Sequence, residues 1–321
     1  MNGKASVSRR TIWVDLLLYP GHTLPTALAP VLIGTGLALH DGVFAPLPLA
    51  LAFLGSWLIH VGGVLTDNHE LLRRHPRVPE HPELLAALAD GSLRLPLLRL
   101  AIYATFALGI LPGVYLVTIG GMPVVLIGTI GVVASLAYAG GPAPYAQRGF
   151  ADPLFFLMFG VVAVVGTYYI QAAAHLGLDS FWLGARGALP LECFLVGLPV
   201  GALVTNVLII DDIRDRDFDA RKGWRTGVVR FGLGWSRNEF HALLVFAYLA
   251  PPAIWLLLGF SPFVLAAWLT LPEARRIARE LARATGAEEL RPMTPRMAQL
   301  GMLYAGLLGL GLALQPLGQG P

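Results

Sequence analysis

Charge is what this sequence lacks. Aspartate, glutamate, lysine and arginine make up 13% of the 321 residues, against 55% hydrophobic residues, and that is about half the charged share of an ordinary globular domain. So little polar surface cannot wrap a soluble protein of this length. Intrinsic disorder, which needs low hydrophobicity and high charge, is excluded as well. Cysteine is nearly missing. Cys193 stands alone in the apolar run from Leu191 to Leu198, so no disulfide framework and no cysteine-based zinc or iron–sulfur site can form. It reads as a small buried hydrophobe. The eight histidines show no ligand spacing: His69, His75 and His81 are six apart and do not share a helical face, and the histidines read as loop residues. A pI near 9.2 does not argue for nucleic acid, because basic loops are the expected topology signal of a membrane protein.

What the sequence has is apolar runs long enough for a bilayer, whose core takes about 20 residues of helix. They fall at 24–40, 47–66, 96–117, 121–140, 151–173, 190–210, 240–259, 262–282 and 297–317. The expectation is an all-α membrane protein of nine transmembrane helices, with residues 1–321 forming one domain. Glu273, Arg275 and Arg276 shorten the eighth run. Pro46, Pro48, Pro96, Gly120, Gly121, Pro190 and Pro262 punctuate the boundaries, and Pro251-Pro252 falls inside the seventh helix. The basic start (Lys4, Arg9, Arg10) would suit a signal peptide, but Asp15 and Pro20 interrupt the apolar stretch early and favour a retained first helix. Of the 23 lysines and arginines, 22 fall on one side of this arrangement and only Arg186 on the other. By the positive-inside rule the N-terminus and the even-numbered loops are then cytoplasmic.

Seven of the 20 acids gather at the cytoplasmic ends of the second and sixth helices. The first group is Thr66-Asp67-Asn68-His69-Glu70, with Asp67 and Glu70 at i, i+3. The second runs from Asp211 to Asp219, with Asp211, Asp215 and Asp219 at i, i+4, i+8 on one face and Asp217 pointing nearly the opposite way. Crowded carboxylates repel unless a cation or arginine sits among them, and at mid-bilayer each costs about 2.5–3.5 kcal/mol. They must therefore face a wet cavity or the interface. Mg²⁺ binds through few carboxylates plus substrate phosphates, and interleaved arginines match phosphate oxygens. Solvated charges capping two helix ends would explain the first group alone; five acids in nine residues is excessive for a cap.

The stretch Arg214-Asp215, Asp219, Gly223, Arg225-Thr226, Val229-Arg230 and Gly232 resembles the N-N-x-R-D-x-x-x-D and G-K-R-T-x-x-V-R-x-G motifs of UbiA-type intramembrane aromatic prenyltransferases, in the branch that works on 1,4-dihydroxy-2-naphthoate in menaquinone synthesis. Gly141-Pro142-Ala143-Pro144 through Gly149 and Asp152 is similar to that branch too. So are Gly166 to Gln171, Leu198 to Gly201, Thr23-Leu24-Pro25 and Arg291-Pro292-Met293. The departures are Asp211-Asp212 for two asparagines, Trp224 for lysine, Thr66 for asparagine, Glu70 for aspartate, Pro76 where the next acid falls, and Tyr19-Pro20 for Arg-Pro. Leu84 to Asp90 replaces an arginine-containing stretch.

The resemblance implies nine helices around a central cavity and Mg²⁺-assisted transfer of a polyprenyl group from its diphosphate to an aromatic acceptor. It assigns Asp67, Asp215 and Asp219 to catalysis, with Glu70, Asp211 and Asp212 joining them as Mg²⁺ ligands. Arg214, Lys222 and Arg225 would contact diphosphate. Tyr145, Arg148, Asp152 and Tyr168 would line the cavity or orient the acceptor, unless Thr167-Tyr168-Tyr169 are aromatics of the membrane interface. A transporter would place ionisable groups at mid-membrane depth instead. Asp211-Asp212-Ile213-Arg214-Asp215 fits the D-D-x-x-D of soluble terpene synthases literally, but the spanning runs exclude their fold. The D-G-x-x-A-R motif of CDP-alcohol phosphotransferases is absent. The remaining alternative is a family member that binds a prenyl lipid without catalysis or prenylates another acceptor.

Overall fold

The computed structural model describes residues 9–18, 23–75 and 82–314, which form helices joined by short loops. In chain order these are α1 (Arg9–Leu18), α2 (Thr23–His40), α3 (Pro46–Arg74), α4 (Pro82–Ala89), α5 (Leu95–Gly120), α6 (Met122–Ala139) and α7 (Ala151–Leu176). After a helical turn at Glu192–Leu195 come α8 (Leu198–Lys222), α9 (Gly227–Phe231), α10 (Leu233–Leu258), α11 (Leu271–Arg283), α12 (Ala287–Leu290) and α13 (Met293–Ala313). Among the described residues the only β pairing is an isolated bridge between Ser180 and Gly184. Proline starts α3, α5 and α8, where its missing N–H costs nothing. Pro30, Pro112, Pro251 and Pro252 lie inside helices, as neighbouring helices allow in a membrane protein.

The apolar runs became helices at the expected places, and not all of them qualify as spans by length and composition. Seven segments among the described residues are long and apolar enough to cross a bilayer: α2, α3, α5, α6, α7, Glu192–Lys222 and α10. The eighth run splits into a 3₁₀ helix, Pro262–Thr270, and α11, which buries Ala274, Ile277, Ala278 and Leu281 and turns Arg275, Arg276 and Arg279 outward. Charge on one face makes α11 amphipathic. The ninth run is α13, whose opening turns carry Thr294, Arg296 and Gln299 and dilute its hydropathy. Its expected end at 317 lies outside the described residues, as do Tyr19, Pro20, Pro76 and His81. The histidine reading also changes: His40, His60, His69, His175 and His241 lie in helices, not loops.

The Glu192–Lys222 segment is the axis of the bundle, with 83% of its most apolar stretch buried, whereas α6 is 6% buried and lies outermost. Small residues let backbones approach, the usual device where lipid supplies no hydrophobic drive between helices. Gly36 of α2 meets Gly309 of α13, and Gly197 and Gly201 meet Gly160, which sits in a π-helical turn (Met158–Val162) of α7. A Cβ at Gly36 would stand 2.3 Å from the Gly309 carbonyl oxygen.

Gly36→Val is therefore expected to force α2 from α13 and cost about 1–3 kcal/mol or more, read as a lower Tm in detergent. Gly128→Ala adds a Cβ that meets nothing within 4 Å and is expected to leave the Tm unchanged or slightly raised.

Candidate functional site

A stripe along α3 and another along α8 face each other across a cavity of about 260 Å³. On α3 the lining residues are Ser56, Ile59-His60, Gly63-Val64, Asp67-Asn68 and Leu71, the i, i+3, i+4 repeat of one helical face. On α8 they begin at Val204 and reach Asp211, Asp212, Arg214, Asp215, Phe218 and Asp219. The 29 residues of α3 extend about 43 Å at 1.5 Å per residue, more than the ~30 Å hydrocarbon core. The helix is thus long enough for its acid-bearing turns to stand beyond the hydrocarbon core.

Five predicted carboxylates, Asp67, Asp211, Asp212, Asp215 and Asp219, line this one cavity, together with Arg214 and Tyr145. Arg214 binds them together: Nη1 donates to Asp211, while Nε and Nη2 donate to the two oxygens of Asp215 at 2.9 and 2.6 Å. Thr294 Oγ1 donates to Asp211 Oδ1 at 2.6 Å, and Thr226 Oγ1 to Asp219 Oδ2 at 3.2 Å. Asp212 feels the negative charge of Asp152, Asp219, Asp211 and Asp215. Asp217 points out, exposed and paired with Arg216 at 2.9 Å. Burial holds the Tyr145 hydroxyl above its usual pKa, so it stays a hydrogen-bond donor.

The remaining predicted residues stand elsewhere. Glu70 does not line the cavity: Arg73 Nη2 at 2.6 Å, Arg74 Nε at 2.9 Å and His69 Nδ1 at 3.2 Å hold its carboxylate. Thr66 Oγ1 donates to the Gly62 carbonyl at 2.7 Å, a contact within its own helix. Asp152 is buried off the cavity wall beside Gly227, and its Oδ1 has no hydrogen-bond partner. Arg148 and Arg225 act through backbone here. The Arg148 carbonyl accepts from Arg230 and the Arg225 N–H donates to the Gln147 carbonyl at 2.9 Å. Lys222 Nζ stands 5.5 Å from the Phe218 ring. Tyr168 lies at the other end of α7 and donates to Asp41 at 2.5 Å. Tyr169 there donates to the Gly120 carbonyl and accepts from Ala185 N–H, so this pair ties the far loops together, as interface aromatics do.

Three features escaped the sequence reading. A clasp joins the two acidic helix ends: Leu71 packs with Phe218 and Trp224, and the His75 ring lies tilted against Trp224 with ring centroids 5.8 Å apart. Burial, with Lys222 and Arg74 nearby, holds the His75 pKa below its usual value, so the ring is neutral at pH 7. Second, an aromatic wall lines the cavity from depth to mouth. His60, Phe159, Phe155, Tyr138 and Tyr145 follow one another with centroids 5.3–5.6 Å apart. Third, an apolar chamber of about 440 Å³ between α3, α5, α6 and α7 adjoins the acidic cavity, sharing Ser56, Ile59, Gly131, Met158 and Ala163 with it. Counting back from Asp67 in helical steps would have found His60 and Ser56.

No three His, Cys, Asp or Glu side chains among the described residues close around a common point. Mg²⁺ rarely needs such a cage, since it keeps waters and takes one or two carboxylates plus substrate phosphate oxygens. The five acids lining this cavity, one on α3 and four on α8, are that kind of donor set, so the residues fit the ion.

The architecture is an all-helical membrane bundle with a carboxylate-lined cavity at one end. The comparisons make this specific: residues 27–285 match the UbiA prenyltransferase family model, and the chain belongs to that family. It is a prenyltransferase. It is 32% identical to a 1,4-dihydroxy-2-naphthoate octaprenyltransferase of Mycobacterium tuberculosis over 90% of this chain and 94% of the relative. A relative of the same name in Escherichia coli is 28% identical over 96% and 97%. The fold matches a UbiA homolog from Aeropyrum pernix with a TM-score of 0.62 at 15% identity, covering 89% and 96% of the two chains. It matches one from Archaeoglobus fulgidus bound to GPP and Mg²⁺ at 0.54 and 16%, covering 94% and 99%.

Because Asp67 faces the cavity and Glu70 is held outside it, the two should separate in Mn²⁺ binding followed by electron paramagnetic resonance. Asp67→Asn is expected to weaken binding at least about tenfold, the loss of one charge-assisted contact. Glu70→Gln should leave it within about twofold.

Proposed function

We propose that the protein transfers a polyprenyl group from its diphosphate to a hydroxylated naphthoate, the step of menaquinone biosynthesis for which its relatives are named. The observation that carries this reading is the joining of two unlike cavities. One bears five carboxylates and an arginine, and the apolar one opens from it past Gly131. A polyprenyl diphosphate has the same two parts, a polyanionic head and an apolar tail. In this reading the whole chain is one unit with nine crossings, α13 and the 262–283 segment included. Its N-terminus and the acidic mouth face the cytoplasm, in keeping with the one-sided lysines and arginines.

Asp67, Asp215 and Asp219, with Asp211 and Asp212, would hold Mg²⁺, which when bound neutralises charge on the departing diphosphate. Arg214 releases one of its two carboxylates and turns donors toward the phosphate oxygens, so it stands ready in the ligand-free cavity rather than being recruited. Thr294 and Thr226 keep Asp211 and Asp219 aimed while that exchange occurs. The Leu71, Phe218 and Trp224 clasp keeps water from the allylic carbon, which would otherwise be hydrolysed. The electron-rich faces of Tyr138, Phe155 and Phe159 line the path on which positive charge develops.

Diphosphate release by the purified protein with a prenyl diphosphate, a dihydroxynaphthoate and Mg²⁺ is the direct test. Asp215→Asn and Asp219→Asn are expected to cut turnover at least about 100-fold. Release in neither the wild type nor a Thr66→Asn/Glu70→Asp variant would sink the transfer reading. Release only in that variant would show that the altered first motif has lost the activity. Gly131→Phe, where an added Cβ meets nothing within 4 Å, should keep transfer from dimethylallyl diphosphate and lose it from long donors, read by product mass.

A further inference from the structure

We infer that Arg275, Arg279 and Arg283 of α11 form a binding stripe for the head groups of acidic phospholipids in the leaflet at the acidic mouth. The three stand at i, i+4, i+8 and are all exposed, so they share one side of the helix. The opposite side is buried through Ala274, Ile277, Ala278 and Leu281, so α11 cannot roll to hide them.

The carboxylates of α11 and α12 are already taken. Arg296 of α13 holds Glu273 with Nη2 at 2.6 Å and Glu280 with Nη1 at 2.5 Å, and Arg276 adds a 3.0 Å contact to Glu280. Glu288 pairs with Arg291 at 3.2 Å, and Glu289 accepts from the Thr285 N–H and hydroxyl. Among the described residues Arg275, Arg279 and Arg283 form no ion pair; Arg279 Nε reaches only the Arg275 carbonyl, 3.3 Å away. By contrast, Arg73, Arg74, Arg214 and Arg216 each hold a carboxylate.

The stripe stands at head-group level. Arg296 grips α11 two residues after Thr294, whose hydroxyl bonds Asp211, so the helix lies at the acidic end of the bundle. The turns before it present Phe263, Trp268 and Leu269 as exposed apolar surface, while the Trp268 Nε1–H is satisfied by the Tyr248 carbonyl at 2.8 Å. Taking the 262–283 segment as one crossing, rises of about 2 Å per residue over Pro262–Thr270 and about 1.5 Å over α11 put Arg275 about 25 Å along it and Arg283 about 37 Å. A hydrocarbon core of about 30 Å ends between them. Long arginine stems reach the head groups from either side of that edge, and the guanidinium fork matches phosphate oxygens pairwise. A zwitterionic head carries the same phosphate with its charge cancelled, so charge complementarity selects the acidic lipid. Free phosphate lacks the tails that pack on Trp268 and Leu269.

The test is native mass spectrometry of the full-length protein, delipidated in non-ionic detergent and given equal amounts of dioleoylphosphatidylglycerol and dioleoylphosphatidylcholine. The wild type is expected to retain phosphatidylglycerol at least about fivefold over phosphatidylcholine, the worth of roughly one arginine at a charged surface. Arg275→Gln/Arg279→Gln/Arg283→Gln should bring that ratio to within about twofold of parity. Arg94→Gln/Arg99→Gln, which alters two exposed arginines at the start of α5, should leave the ratio unchanged. The Tm of the triple variant in detergent is expected to hold, because none of the replaced groups pairs with a carboxylate. Should it fall, Arg283→Gln alone is read and should lower the ratio at least about twofold. A wild-type ratio near one overturns the assignment, and so does an unchanged ratio in these α11 variants. An equal fall in the Arg94/Arg99 variant overturns it as well, since it would mark a general attraction to positive charge. Displacement of the phosphatidylglycerol by an equal concentration of inorganic phosphate would make this a free-phosphate site instead, and likewise sink it.

Discussion

Like charges crowded at the edge of a bilayer govern this molecule. Five aspartates line one cavity of about 260 Å³, and their mutual repulsion must be offset locally because lipid offers no counterions. Arg214 does this without ligand by spanning Asp211 and Asp215, and two threonines donate to what is left. The guanidinium thus occupies, in charge terms, the place that a divalent cation and its phosphate would share. Removing one partner of such a cluster is costlier than the worth of any single contact, because the other charges stay buried. Under the proposed function, turnover would exchange partners rather than simply add a ligand.

That exchange needs a rigid frame. The Glu192–Lys222 segment is the most buried span, fixed to α7 where Gly197 and Gly201 press on Gly160 in the π-helical turn. Packing through glycines leaves no side chain to give way, so the second acid group is held in register. The wall formed by α6 is different, since Ala139 is its only buried residue. The cavities are therefore bounded by a fixed acidic face and a thinly packed apolar one.

Much of this was legible in the sequence, for reasons that can be named. Hydrophobic runs bounded by proline and glycine report helices directly, and the spacing of Asp211, Asp215 and Asp219 reports a shared face, because both signals are local. Position along α3 was harder to read. Glu70 shares a face with Asp67 by count, yet Arg73 and Arg74 one turn on compete for it, and spacing alone does not rank a cavity against a neighbouring arginine. Tyr168 was misplaced because a motif carries no depth coordinate; it sits at the opposite end of α7 from Asp152. His60 was passed over because ligand spacing was sought among histidines alone. Among the partners of His60 are a threonine on α2 and a phenylalanine on α7, which only the fold brings together.

The departures from the family pattern are easier to understand once they are located. Thr66 turns back into its own helix, Glu70 is neutralised by two arginines, and Trp224 stands in the clasp where the family carries lysine. All three lie at the mouth between α3 and α8, and together they remove from it one acidic ligand and one positive charge. What remains polar is concentrated on α8, and what is gained is cover: Trp224 against Phe218, with Leu71 and a neutral His75 beside it. A mouth that relies less on paired charge and more on apolar closure excludes water by packing instead of by occupied metal sites. Asp67 is the α3 carboxylate that still faces the cavity, so the proposed balance between ion binding and closure rests on the short stretch from Asp67 to Leu71.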